Sequence, residues 1–159
     1  MSSGSSLLEK IHCTHFSERK NLPEKLIKRK IDLLKDAGYS RNAILLYYNR
    51  VNVGTIKNAD VALAYTGPCG DTIKLYLKIN DQNKIEDAKF QYLGCPASAA
   101  CGSILTQIAK GKTLREAKAI TEEEILKELD GLPGDECHCA ELALTSLRKT
   151  ITKYESNRK

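Results

Sequence analysis

The chain has 159 residues, of which 42% are hydrophobic and 28% are charged, so it can bury one ordinary core and is not a disordered tail. It contains neither an apolar run near the ~20 residues that a membrane span requires nor a secretory signal, and its N-terminal part lacks the Arg-rich, acid-poor composition of a transit peptide. We therefore expect a cytoplasmic protein with no membrane partner. The formal net charge of +5 is below that of most dedicated nucleic-acid-binding domains.

Part of the positive charge lies early in the chain. Residues 1–40 contain eight Lys and Arg residues against five acidic residues, whereas the remainder is close to balanced. This pattern favours a solvated basic helix face, and a docking surface for an acidic partner is the alternative.

The first predicted helix belongs to an N-terminal extension, residues 1–38. Asn21 is its predicted cap, Glu24 reaches back towards that cap, and Gly38 ends the helix as a left-handed residue. Ser40 is then predicted to cap a second, shorter helix.

Three segments with strand patterns follow: Val61–Thr66, Thr72–Ile79 and Ile85–Leu93. The second and third alternate apolar and polar residues, as strands with one buried and one solvated face do. Short turns join them, which predicts an antiparallel meander.

The rest of the chain is predicted to be helical. The expected helices cover residues 96–110, two short segments with capping boxes at Thr113 with Glu116 and at Thr121 with Glu124, and a long final helix from about residue 138 to 154. Strands followed by helices indicate an α+β fold, with a small three-stranded antiparallel sheet and helices packed on one face.

The chain has six cysteines, and nothing in the sequence indicates secretion, so they favour metal or thiol chemistry over disulfides. They are Cys13, Cys69, Cys95, Cys101, Cys137 and Cys139. Cys69, Cys95 and Cys139 lie at junctions between predicted elements, where side chains from distant segments can converge. Cys95 and Cys139 are also at predicted helix starts, where partial positive charge lowers the pKa of a thiol.

A fourth ligand is available near these thiols. Asp71 follows Cys69 by two positions in an extended segment, so the two side chains can point the same way, and His138 precedes Cys139. Three thiolates with a carboxylate or imidazole match either a tetrahedral zinc site or the four protein ligands of a [2Fe–2S] cluster. A hard oxygen ligand is a weak point on an iron–sulfur unit, which would suit a carrier that releases its cargo.

Several short motifs occur in a characteristic order. They are Tyr39-Ser40 through Asn52-Val53-Gly54, Cys69-Gly70-Asp71, Phe90 through Gly94-Cys95, Lys110-Gly111-Lys112-Thr113, Leu132-Pro133 and His138-Cys139. Together they resemble the IscU/NifU N-terminal family of iron–sulfur cluster assembly scaffolds. The resemblance implies a scaffold domain over residues 39–155 and a tail at 156–159.

The resemblance also implies a function that is not enzymatic. Family members accept persulfide sulfur from a cysteine desulfurase, assemble a [2Fe–2S] cluster with iron, and deliver it to recipient apo-proteins. A chaperone, an electron donor and a second copy of the chain in a homodimer are further candidate partners. In several members the same residues hold zinc, so zinc is a candidate occupant of the purified protein.

Carried over by motif, the cluster ligands would be Cys69, Asp71, Cys95 and Cys139, with His138 as an auxiliary metal ligand and Cys139 as the persulfide acceptor. The chaperone-docking segment of the family is altered here, because Leu132–Glu136 ends in two acidic residues. Retention of His138, and the lack of an insertion between the motifs of Asp71 and Cys95, argue against a zinc-dependent branch of the family.

Some features leave alternatives open. Cys101 is interpreted as a small buried residue, whereas Cys137 is either a packing residue or a spare thiol. The motif His12-Cys13-Thr14-His15 is either a chance occurrence or a segment that docks on the cluster of a neighbouring subunit. Two rival functions also remain: a zinc-bound sulfurtransferase-type partner of a desulfurase, and a zinc-stabilised nucleic-acid-binding module, which the absence of paired C-x-x-C motifs disfavours.

Overall fold

A computed structural model describes residues 23–134 and 138–158. The described elements are α1 (Glu24–Asp36), α2 (Arg41–Asn49), β1 (Val61–Thr66), β2 (Thr72–Ile79), β3 (Ile85–Leu93), α3 (Pro96–Ala109), α4 (Leu114–Lys118), α5 (Glu122–Glu128) and α6 (His138–Asn157). The α+β order and the three strand ranges are those predicted.

The three strands form an antiparallel sheet in the order β1-β2-β3. Along β2 the side chains alternate as predicted, with Ile73, Leu75, Leu77 and Ile79 buried. The register with β3 shifts next to Ile79, which pairs with Ile85, so that an extra residue enters β3 and both Ile85 and Ala88 face the core.

Helices α3 and α6 cover the buried face of this sheet and complete one hydrophobic core. Helix α3 approaches β3 closely because it is rich in small residues. At Gly102 an added Cβ would lie 2.5 Å from the ring of Phe90, so only glycine fits there. Helices packed on one face of the small sheet were expected from the sequence.

Helix α1 belongs to the predicted N-terminal extension and packs on α2. Ile27 and Ile31 of α1 form a small separate cluster with Ile44 and Tyr48 of α2. The basic side chains of α1 are exposed, as a solvated face would be. Asn21, the predicted cap, lies outside the described residues; the cap position of α1 is occupied by Pro23, which makes no side-chain cap hydrogen bond.

Local capping fixes several helix starts as predicted. The Ser40 hydroxyl accepts a hydrogen bond from the Ala43 N–H, and Thr113 and Glu116 form a complete capping box at α4. At α5 only half of the predicted capping box forms: the Thr121 hydroxyl accepts from the Glu124 N–H, but the Glu124 side chain does not accept from the Thr121 N–H. The last helix continues to Asn157, which takes in the first residues of the predicted tail.

None of the described helices combines the length and the apolar character that crossing a membrane would require.

Candidate metal centre

Three junctions of the chain meet at one end of the sheet. The β1–β2 turn carries Cys69 and Asp71, the β3–α3 junction carries Cys95, and the start of α6 carries Cys139. The turn and the β3–α3 junction are neighbours because Thr72 at the start of β2 pairs with Leu93 at the end of β3. Helix α6 reaches the same end because it packs along β1 and β2.

Three ligand atoms converge at this end. A carboxylate oxygen of Asp71 and the sulfurs of Cys95 and Cys139 all lie within 4.8 Å of one another. The two sulfurs are 3.7 Å apart, and Cys95 Sγ is 3.6 Å from Asp71 Oδ2. Two thiolates bound at ~2.3 Å to one tetrahedral ion would be separated by about 3.8 Å, so the spacing fits a shared metal ion.

The Asp71 carboxylate is held by the start of α3. Ser98 Oγ donates a hydrogen bond of 2.6 Å to Asp71 Oδ2, and the Cys95 backbone N–H also donates to the carboxylate. Gly94 leaves the necessary space, since a Cβ at this position would lie 2.6 Å from Asp71 Cγ. The hydrogen bond from Ser98 is the main reason that the pKa of Asp71 lies below its ordinary value, although partial burial opposes the shift. The Asp71 carboxyl group is thus ionised at neutral pH.

The Cys139 thiol differs from the sequence-based expectation. The expected effect of a helix start was a lowered pKa, but the pKa of Cys139 lies above its ordinary value. The contact with the Cys95 sulfur is the main cause, and burial of the side chain, which is 0% exposed, adds to it. Binding of a metal ion at this sulfur would therefore release a proton.

Two predicted ligands lie beside this group and are not part of it. Cys69 and His138 are both exposed, and they border a neighbouring pocket of about 190 Å³. Its full lining is Tyr65, Gly67, Pro68, Cys69, His138, Glu141, Leu142 and Thr145. The structure thus brings together three of the five predicted ligands, and the other two line the adjacent pocket.

The remaining cysteines differ in position. Cys101 is fully buried on α3, in agreement with its interpretation as a core residue. Cys13, Cys137 and the His12–His15 motif lie outside the described residues. The four cysteines at positions 69, 95, 101 and 139 form no disulfide with one another.

Sequence reasoning overlooked Ser98, whose hydroxyl contacts Asp71, Cys95 and Cys139. The available signal was a serine three residues after a candidate ligand, in an apolar segment. A serine in this segment does not by itself indicate a site residue. Ser103 lies in the same helix and is buried, yet its hydroxyl makes no hydrogen bond to Asp71, Cys95 or Cys139.

Comparison with known proteins extends the sequence-based resemblance. Residues 38–159 match the family model described as the NifU-like N terminal domain. Iron-sulfur cluster assembly scaffold protein IscU 1 of Archaeoglobus fulgidus is 43% identical over 117 residues, which are 73% of this chain and 76% of that protein. The scaffold protein IscU of Escherichia coli K12 is 41% identical over 124 residues, covering 76% of this chain and 96% of that protein.

Solved structures share the fold. A scaffold protein assigned to the SUF system of Fervidobacterium islandicum AW-1 aligns with a TM-score of 0.60 at 23% identity, covering 71% of this chain and 96% of its own. The N-terminal part of a NifU-like protein from Brucella abortus aligns with a TM-score of 0.58 at 20% identity, covering 77% and 98%. On the family match and the identities to both IscU proteins, the chain belongs to the NifU-like N-terminal domain family.

Proposed function

We propose that this protein is a scaffold on which a transient [2Fe–2S] cluster is assembled and from which it passes to recipient apo-proteins. The observation that carries the proposal is the convergence of Asp71, Cys95 and Cys139 within 4.8 Å. Relatives named as cluster assembly scaffolds support it. The cluster is cargo in this role, so the protein is not an enzyme.

The proposed ligands divide into a close group and two flanking residues. Cys95, Cys139 and Asp71 would hold the incoming iron, since their ligand atoms already share one site. Cys69 would provide the third sulfur from the exposed turn, two residues before Asp71. His138 would be the auxiliary metal ligand at the start of α6.

Cys139 is the proposed acceptor of sulfur from a cysteine desulfurase. In this step the Cys139 thiolate attacks the outer sulfur of the desulfurase persulfide, a new S–S bond forms, and the desulfurase thiolate leaves. Because the Cys139 side chain is fully buried, the start of α6 has to open before the two sulfurs can meet. The Cys139 thiol must also lose its proton, which its raised pKa opposes in the metal-free protein.

The oxygen ligand explains how such a cluster could be released. Carboxylate is a hard ligand and iron–sulfur units prefer thiolates, so the bond to Asp71 would be the weakest of the set. Asp71 is only half-buried, and Cys69, two positions before it, lines a pocket of about 190 Å³, so a recipient protein could approach the centre from this side.

The test is anaerobic reconstitution with ferrous iron, cysteine and a cysteine desulfurase, followed by iron and sulfide determination per chain. We expect equal amounts of iron and sulfide and a reddish-brown product, both lost in Cys95→Ser. Cys101→Ser is the control, because Cys101 is a cysteine on α3, six positions after Cys95, that is not part of the three-ligand group, and this variant should retain the cluster. A colourless protein that retains only zinc would reject the scaffold function and favour a zinc-bound partner of the desulfurase.

A further inference from the structure

We infer that Ser98 is a positioning residue of the metal centre: its hydroxyl holds the Asp71 carboxylate beside the two cysteine sulfurs. The inference deepens the proposed function and rests on the metal centre that this function requires. It adds a residue of this chain that acts through a ligand and is not itself a ligand.

The Ser98 hydroxyl lies among all three converging side chains. Its Oγ is 2.6 Å from Asp71 Oδ2, 3.5 Å from Cys139 Sγ and 3.6 Å from Cys95 Sγ. The Ser98 side chain is 0% exposed, so water does not compete for these contacts at the hydroxyl. The side chains within hydrogen-bonding distance of this buried hydroxyl are therefore those of Asp71, Cys95 and Cys139.

The direction of the shortest hydrogen bond follows from the chemistry of the groups. An ionised carboxylate can only accept, and a hydroxyl has one proton, so Ser98 gives that proton to Asp71. Bonds between a hydroxyl and a carboxylate are short and stronger than neutral ones, in agreement with the 2.6 Å distance. A carboxylate has about four lone-pair sites, so Asp71 can accept from Ser98 and still bind an ion.

Local helix structure does not explain this bond. A serine in the first turn can cap its own helix, but Ser98 Oγ reaches Asp71 in another segment, 27 positions earlier in the chain. Ser103 provides an internal comparison, because it is buried in the same helix and its Oγ has no hydrogen-bond partner among the described residues. Burial of a serine in α3 is therefore not enough to produce such a contact.

Asp71 needs this support because it is only half-buried, on a turn. Without Ser98 the carboxylate loses its shortest hydrogen bond and keeps the one from the Cys95 N–H, so Oδ2 can rotate towards water and away from the two sulfurs. Hydrogen bonds that orient metal ligands typically change metal affinity by about 10–100-fold when they are removed. We expect Ser98 to have an effect of this size.

The test is titration of the full-length metal-free protein with Co²⁺, followed by the thiolate-to-cobalt absorption. Ser98→Ala should raise the Kd for Co²⁺ by about 10–100-fold. In the Asp71→Ala background the same substitution should change the Kd by less than about twofold, because the group that Ser98 positions is gone. Ser103→Ala is the matched control and should bind Co²⁺ like the wild type.

A second variant separates positioning from helix stability. Ala strengthens a helix and Gly weakens it, yet both remove the hydroxyl, so Ser98→Ala and Ser98→Gly should weaken Co²⁺ binding to a similar extent. A wild-type Kd in Ser98→Ala, or an equal loss with and without Asp71, would overturn the inference. So would a wild-type protein that binds no Co²⁺.

This titration uses no iron, sulfide or desulfurase, so it is independent of cluster assembly. Failure of the reconstitution together with a Ser98 effect that depends on Asp71 would reject the scaffold function and retain the positioning role. Successful reconstitution with no Ser98 effect would retain the scaffold function and reject the positioning role.

Discussion

Gly94→Ala tests whether metal binding depends on the space that the absent side chain of Gly94 leaves for the Asp71 carboxylate. The added Cβ would lie 2.6 Å from both Cγ and Oδ2 of Asp71 and 3.1 Å from its Cβ. Carbon atoms in favourable contact are about 3.5–4.0 Å apart, so the carboxylate has to move by roughly 1 Å or rotate away. Gly94 does not have a positive φ, so the backbone itself tolerates alanine.

The movement would break the hydrogen bonds that Asp71 accepts from Ser98 and from the Cys95 N–H. Because Asp71 is half-buried, water replaces part of this loss, and we expect the free energy of unfolding to fall by only about 1 kcal/mol. The effect on metal binding should be larger, since the oxygen ligand is displaced. A Kd for Co²⁺ that rises about 10–100-fold corresponds to about 1.4–2.8 kcal/mol.

The assays are urea unfolding of the metal-free protein and Co²⁺ titration. Gly134→Ala is the control, because no atom of the described residues lies within 4 Å of its added Cβ and its φ is not positive. It should change neither quantity. In an Asp71→Ala background, Gly94→Ala should add little to the Kd, because the carboxylate that it displaces is absent. If Gly94→Ala binds Co²⁺ as tightly as the wild type, the observed position of Asp71 is not the one that binds the ion.

Three further predictions concern the cluster and the fold. Asp71→Ala should lengthen the lifetime of the reconstituted cluster, measured by visible absorption in the presence of a chelator, because the hard ligand is removed; faster loss would contradict the role given to this carboxylate. Ser103→Ala should raise the free energy of unfolding by about 1 kcal/mol and the Tm by about 2–4 °C, since it removes a buried hydroxyl with no partner among the described residues, and a lower Tm would argue against this. Thr113→Ala should lower the free energy of unfolding in urea by about 1 kcal/mol through loss of the capping box, whereas Thr113→Ser should retain it; equal stability of the two variants would show that the cap contributes nothing.

Features that depend on near neighbours in the chain could be predicted from the sequence. The alternation along Thr72–Ile79 gave the buried face of β2, and the bonds of Ser40 to Ala43 and of Thr113 to Glu116 join residues three positions apart. The positions of the cysteines and the family motifs also indicated five candidate ligands for a metal centre. Each of these signals is contained within a few residues or a fixed motif.

The composition of the centre was decided by tertiary contacts. Cys95 and Cys139 are 44 positions apart, and their 3.7 Å separation results from the packing of α3 and α6 on one sheet. The sequence identified five candidate ligands, but the fold brought only three within reach of one ion and left Cys69 and His138 at the adjacent pocket.

The chain by itself therefore determined the strands and the caps at Ser40 and Thr113, and it predicted a thiol and carboxylate chemistry for the site. Only the folded structure determined that Ser98 contacts the ligands, that Gly94 makes room for Asp71, and that the pKa of Cys139 is raised instead of lowered. The physical reason is that hydrogen bonding and burial at a site depend on distances between segments remote in sequence, which no local pattern encodes.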